Sequence, residues 1–145
     1  MTADVVKRTI GNISFVAGLD AKTRDHVITL LANLGPAEKL SKGSTLFRAG
    51  ETATDDGVVI LQGELSVLKM NAPEVIAVAP ELMGEMQQFN PRKERTATVV
   101  ANTDLLAIRF KWASFKAAAN QTLKPDENAA LMQALQDYAW QHFTQ

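Results

Sequence analysis

Cysteine is absent from this 145-residue chain, so it carries no disulfide and no thiolate nucleophile, which fits a reducing compartment and makes the cytoplasm the expected location. Histidine is nearly absent too. The two present, His26 and His142, fall on predicted helices outside the β-rich part of the chain, so no histidine–carboxylate metal cluster can be assembled. Charge of one sign is missing. Fifteen Lys and Arg against sixteen Asp and Glu leave a net charge of -1, which gives no general field for nucleic acid or acidic membranes. No stretch approaches the roughly 20 apolar residues of a membrane span. At the N-terminus, Gly11, Asn12, Ser14 and Gly18 dilute the apolar run from Ile10 to Leu19 below what a signal peptide needs. There is no phosphate-binding P-loop and no nucleophile-elbow glycine pattern around a serine, so an enzyme is not expected.

What remains is enough for one real core and too short for two, and residues 1–145 are expected to form a single domain. Val6, Ile10, Ile13 and Val16 recur at helical spacing and predict one N-terminal helix. Asp20 is the expected cap of a second helix, with Val27, Leu30, Leu31 and Leu34 on one face and Gly35-Pro36 as its stop. Together these helices span 4–34. From 37 to 110 the texture changes to short apolar runs between turn residues: 45–47, 58–61, 65–68, 75–79, 96–101 and 105–110. Such spacing predicts a mainly β fold, an antiparallel β-roll of jelly-roll type, with Gly43, Gly50, Gly57 and Gly63 at its corner turns and a hairpin at Gln62-Gly63-Glu64. Helices return over 111–143. Pro125 opens the last of them, and Leu131, Leu135, Tyr138 and His142 form its stripe, which could also pair two chains as a homodimer.

Chemistry concentrates between Gly84 and Ala97. Gly84 permits close backbone approach, Glu85 offers an acceptor for a sugar hydroxyl, and Arg95 presents a fixed fork of donors that stays charged and matches a phosphate. If residues 84–88 form a short helix, its first N–H groups face the same anion. The set suggests a nucleotide monophosphate site. Arg95 and Thr96 can both reach one phosphate only if the strand is irregular there or one of them uses its backbone, because neighbouring strand residues point to opposite faces.

Four blocks in order carry a family resemblance: Phe15–Asp20, Gly43–Glu51, Gly57–Leu65, and Gly84-Glu85 followed by Arg95-Thr96-Ala97. They resemble the cyclic nucleotide-binding domain family of catabolite activators, regulatory subunits of cyclic-AMP-dependent kinase and nucleotide-gated channels. The resemblance implies a regulatory sensor for cyclic AMP, or cyclic GMP, in which Arg95 takes the cyclic phosphate and Glu85 the ribose 2′-hydroxyl. Gly84 and Met86 would sit in the short cassette helix, Thr96 would contact the phosphate, and Ala97 would leave room beside the ligand. It also implies a lid over the base, for which Tyr138 or Trp140 supplies the ring, and transmission through the C-terminal helix. Met86-Gln87-Gln88 departs from the family's apolar-small-apolar tripeptide, so a non-binding member used for protein interaction is the alternative. No DNA-recognition helix follows the long helix before Gln145, so the output is expected in a protein effector or in a fused domain beyond it.

Overall fold

The computed structural model describes residues 1–52, 54–84 and 94–144, without the side chains of Trp140 and residues 142–144. Among the described residues, three helices, α1 (Ala3–Ile10), α2 (Ser14–Ala17) and α3 (Ala21–Ala32), lead into eight strands. The strands are β1 (Ala37–Leu40), β2 (Thr45–Phe47), β3 (Asp56–Gln62), β4 (Glu64–Lys69), β5 (Val75–Val78), β6 (Glu81–Met83), β7 (Ala97–Ala101) and β8 (Leu105–Lys111). Two helices, which we label α4 (Trp112–Thr122) and α5 (Pro125–Thr144), close the chain. All strand pairs are antiparallel and form two four-stranded sheets, ordered β1-β8-β3-β6 and β2-β7-β4-β5. The expected β-roll with flanking helices is therefore the fold.

The first sheet serves two cores. Along β3, Val58 and Ile60 join Leu65, Val99, Leu105 and Ala107 between the sheets. Their alternating neighbours, Val59 and Leu61, pack instead with Ile108, Phe110 and the helices. This two-sided burial is why β3 is apolar without interruption from Val58 to Leu61 rather than alternating. At about 25 cal/mol per Å² of apolar surface removed from water, a strand covered on both faces contributes more per residue than any half-exposed one.

Where the structure departs from expectation, local physics explains the difference. The N-terminal stripe is split, because Gly11 and Asn12 are poor helix formers and Ile13 has an extended backbone that starts α2 afresh. Val6, Ile10, Ile13 and Val16 are nevertheless all buried. Gly57 is not a corner but a strand residue: a Cβ there would lie 2.4 Å from the Phe110 ring, so glycine makes room for the aromatic. Gly43, Gly50 and Gly63 do turn the chain with positive φ. The α5 stripe of Leu131, Leu135 and Tyr138 is 0%, 1% and 3% exposed within its own protomer, so a homodimer through this helix would need another face.

Capping ties the helices to their surroundings. Asp20 accepts from the Thr23 N–H at 3.1 Å and from its hydroxyl at 2.8 Å, as its position before α3 predicts. Asp55 starts α4 from outside the helix, its carbonyl accepting from Trp112 N–H and its carboxylate from Ala113 N–H, both at 2.9 Å. Glu127, 4% exposed in the first turn of α5, accepts from the Lys124 N–H at 3.0 Å and lies 2.6 Å from His26 Nδ1 on α3. The Lys124 N–H, reinforced by His26 and opposed by burial, holds the Glu127 carboxyl below its ordinary value of 4.5. A depressed carboxyl pKa contributes stability that is present above that ordinary value and is lost as pH falls through the lowered one. Thermal midpoints measured from neutral pH downward should therefore fall less steeply for Glu127→Gln than for the wild type, and parallel curves would show that the pair contributes nothing to acid sensitivity.

Candidate functional site

Residues from four separate stretches, at Phe47, Thr54 with Asp56, Gly84 and Arg95, meet beside one another. β2 carries a bulge, since Thr45 pairs with Val100 while Phe47 pairs with Val99, placing two residues against one on β7. A bulge re-aims the side chain that follows it. The Phe47 ring comes to lie under the Arg95 guanidinium, 4.2 Å from centroid to Cζ. Arg95 is only 7% exposed. Its Nη2 donates to the carbonyls of Thr54 at 3.1 Å and Asp56 at 3.3 Å. Its backbone is anchored as well, N–H to the Glu51 carbonyl at 2.8 Å and carbonyl from the Gly50 N–H at 2.9 Å. A buried charge is tolerated only with such donors and acceptors satisfied.

Gly84 closes in from β6. Its φ of +93° lies in the region that favours glycine, and a Cβ would sit 2.7 Å from the Asp56 carbonyl oxygen and 3.3 Å from Phe47 Cζ. Gly84 and Arg95, eleven positions apart in sequence, thus share the same two neighbours, Phe47 and Asp56. The Asp56 carboxylate contacts Lys111 Nζ and the Thr54 hydroxyl, and these two, Lys111 first, hold its carboxyl below the ordinary value of 3.8. Beside this cluster lies an open cleft of about 150 Å³, walled by Thr45, Phe47, Gly57, Val58 and Arg109.

The chain bends at Thr96, and regular strand begins only at Ala97, so Arg95 and Thr96 do not lie in a regular strand. Thr96 and Ala97 are half-buried. Glu85 and Met86 lie outside the described residues, as does most of the expected 84–88 helix, and so does the Trp140 side chain. Tyr138, the other candidate for the base lid, is placed in the core instead. Its ring packs on Phe15 at 5.1 Å between centroids, and its hydroxyl accepts from Leu82 N–H and reaches the Leu82 carbonyl, each at 3.2 Å, while also contacting Glu81. Among the described residues, no group of three or more His, Cys, Asp or Glu could hold a metal ion. Nor is any described helix long and apolar enough to cross a membrane. Reading the residues alone missed Phe47, Thr54 and Asp56; the only available signal was an aromatic immediately before the Arg48-Ala49-Gly50 turn.

Comparison with known proteins places the fold. The cyclic nucleotide-binding domain family matches residues 37–122, which span the roll and α4. PKAR CBD2 with Sp-2Cl-cAMPS bound is similar in structure, with a TM-score of 0.67 at 15% identity over 94% of this chain and 86% of that one. The sensor domain of the transcriptional regulator DNR from Pseudomonas aeruginosa gives 0.64 at 15% identity, covering 96% and 94%. The regulatory subunit of a cAMP-independent protein kinase A from Trypanosoma brucei gives 0.66 at 19%, covering 98% of this chain and 48% of that one. None of the curated proteins matches this chain. With more than half its length matched by the family and the two-sheet roll in place, the chain belongs to the cyclic nucleotide-binding domain family.

Proposed function

We propose that this domain captures a cyclic mononucleotide, cyclic AMP in preference to cyclic GMP, and reports occupancy through α5. The observation that carries the reading is the convergence of buried Arg95 and positive-φ Gly84 on Phe47 and Asp56 at the mouth of the roll. In this reading Arg95 pairs with the cyclic phosphate, Thr96 supports it by hydroxyl or N–H, and Ala97 leaves space. Gly84 brings the backbone of Glu85 and Met86 to the ligand, and Glu85 takes the ribose hydroxyl. The preference for cyclic AMP is supported by the bound cyclic AMP analogue in PKAR CBD2.

Transmission follows from position. β6 ends one residue before Gly84, and the Tyr138 hydroxyl of α5 holds the backbone of Leu82 in that strand. A ligand that draws the cassette inward shifts α5 by as much as it favours one helix position over the other. The effector is a protein partner or a fused domain that reads α5.

The kinase subunit described as cAMP-independent favours a second reading, in which the roll is kept and cyclic AMP is not its ligand. Calorimetric titration with cyclic AMP, cyclic GMP and cyclic di-GMP separates the two. Binding of either mononucleotide supports the sensor, with about 2.7 kcal/mol of stabilisation at 100 times the Kd. Absence of heat and of any thermal shift with all three would sink it.

A further inference from the structure

We propose that Phe47 is a positioning residue for the phosphate-binding arginine: its ring is the platform that holds the Arg95 guanidinium at the mouth of the roll. The proposal rests on the ligand reading above and gives Phe47 a role that reading does not assign. Without the bulge in β2, simple alternation would pair position 47 with Thr98 and turn its side chain to the other face of the sheet. With the bulge, the ring lies 4.2 Å from Arg95 Cζ, edges the position that a Cβ on Gly84 would fill, and walls the cleft beside Asp56.

The pairing has a physical purpose. A guanidinium is flat, delocalised and weakly hydrated, so it is attracted to the negative face of an aromatic ring as well as to carbonyls at its edge. The Thr54 and Asp56 carbonyls fix an edge of Arg95, and Phe47 fixes a face. Edge and face together restrict a long side chain that otherwise samples many rotamers, and a pre-set fork meets a phosphate without paying that ordering again. An aliphatic residue at position 47 would fill the same space with no attraction for the cation. Phe47→Leu should therefore weaken cyclic nucleotide binding on the order of tenfold, the upper part of the cation–π range converted at 1.4 kcal/mol per tenfold. Phe47→Tyr keeps the π face but extends a hydroxyl from Cζ towards Gly84, so it should lose less affinity than Phe47→Leu rather than none.

Two readouts on the full chain keep this separable from the ligand reading. The first is calorimetric titration of wild type, Phe47→Leu and Phe47→Tyr with cyclic AMP and cyclic GMP, with thermal midpoints of the ligand-free proteins as a folding control. The second, needing no ligand, is the NMR resonance of the Arg95 Nε–H, assigned by its loss in Arg95→Lys and displaced by the ring current of Phe47. Weaker binding by Phe47→Leu than by Phe47→Tyr, together with movement of that resonance in Phe47→Leu, is the expected result. Unchanged affinity in Phe47→Leu overturns the proposal. So does weakened affinity with an unmoved resonance, which would mean that the ring touches the ligand directly. If the wild type binds no cyclic nucleotide, the ligand reading fails and takes the binding role of Phe47 with it, while a moving resonance still reports the platform.

Discussion

Arg95→Ala should weaken the proposed binding of cyclic mononucleotides by roughly 30-fold or more. The argument is one of desolvation and donor geometry. Arg95 is 7% exposed, so a phosphate meeting it leaves water for a site where charge–charge hydrogen bonds are strong. Truncating one partner of a buried, hydrogen-bonded charge pair costs about 2–5 kcal/mol, which corresponds to roughly 30- to 4000-fold in affinity. The same change removes the Arg95 donor from the Thr54 and Asp56 carbonyls, so the ligand-free variant should also lose about 1–3 kcal/mol of stability. Arg95→Lys separates the two effects. It retains the charge and loses the fork, and should bind more weakly than wild type but better than the alanine variant. A titration in which Arg95→Ala binds within threefold of the wild type would place the phosphate elsewhere in the molecule.

Tyr138→Ala should be strongly destabilising. Tyr138 is 3% exposed, packs on Phe15, and its hydroxyl engages both backbone groups of Leu82 on the open edge of β6. Removing a buried aromatic costs about 3–5 kcal/mol. For a chain of this size, that lowers the thermal midpoint on the order of 10 °C. Tyr138→Phe keeps the ring and strands the Leu82 N–H and carbonyl, for about 1–3 kcal/mol. Equal stability of Tyr138→Phe and wild type in a denaturant titration would show that the hydroxyl is dispensable, and would remove the physical link from the cassette entrance to α5. The intermediate result, with Phe between wild type and Ala, is the one expected.

Most of the roll was legible because its strands are bounded by real punctuation. The run Val58–Leu61 and the Gln62-Gly63-Glu64 hairpin announce themselves, and Asp20 and Pro125 mark two helix starts by chemistry that only a helix N-terminus uses. β1 and β6 did not. Ala37–Leu40 buries a single residue, and Glu81–Met83 is too short for a period to emerge between Pro80 and Gly84. Gly57 was misread as a turn because a glycine that yields space to a distant aromatic looks the same in sequence as one that bends the chain. At the site, Gly84 and Arg95 were legible from their own chemistry. Phe47, Thr54 and Asp56 were not, because their roles depend on a bulge and on backbone carbonyls, neither of which leaves a residue-type signal. The lid expectation for Tyr138 rested on an aromatic in the right helix, and burial against Phe15 gives that ring a different task.

The double burial of β3 has a consequence for how such a sensor can be modified. Val58 and Ile60 belong to the compartment that the cleft opens into, whereas Val59 and Leu61 belong to the compartment in which the helices pack. In the proposed function, receiving a signal and relaying it would therefore be written at alternate positions of a single strand. Drift or design can retune one without rewriting the other, and a library restricted to these four positions would sort its members by which half of the device had changed.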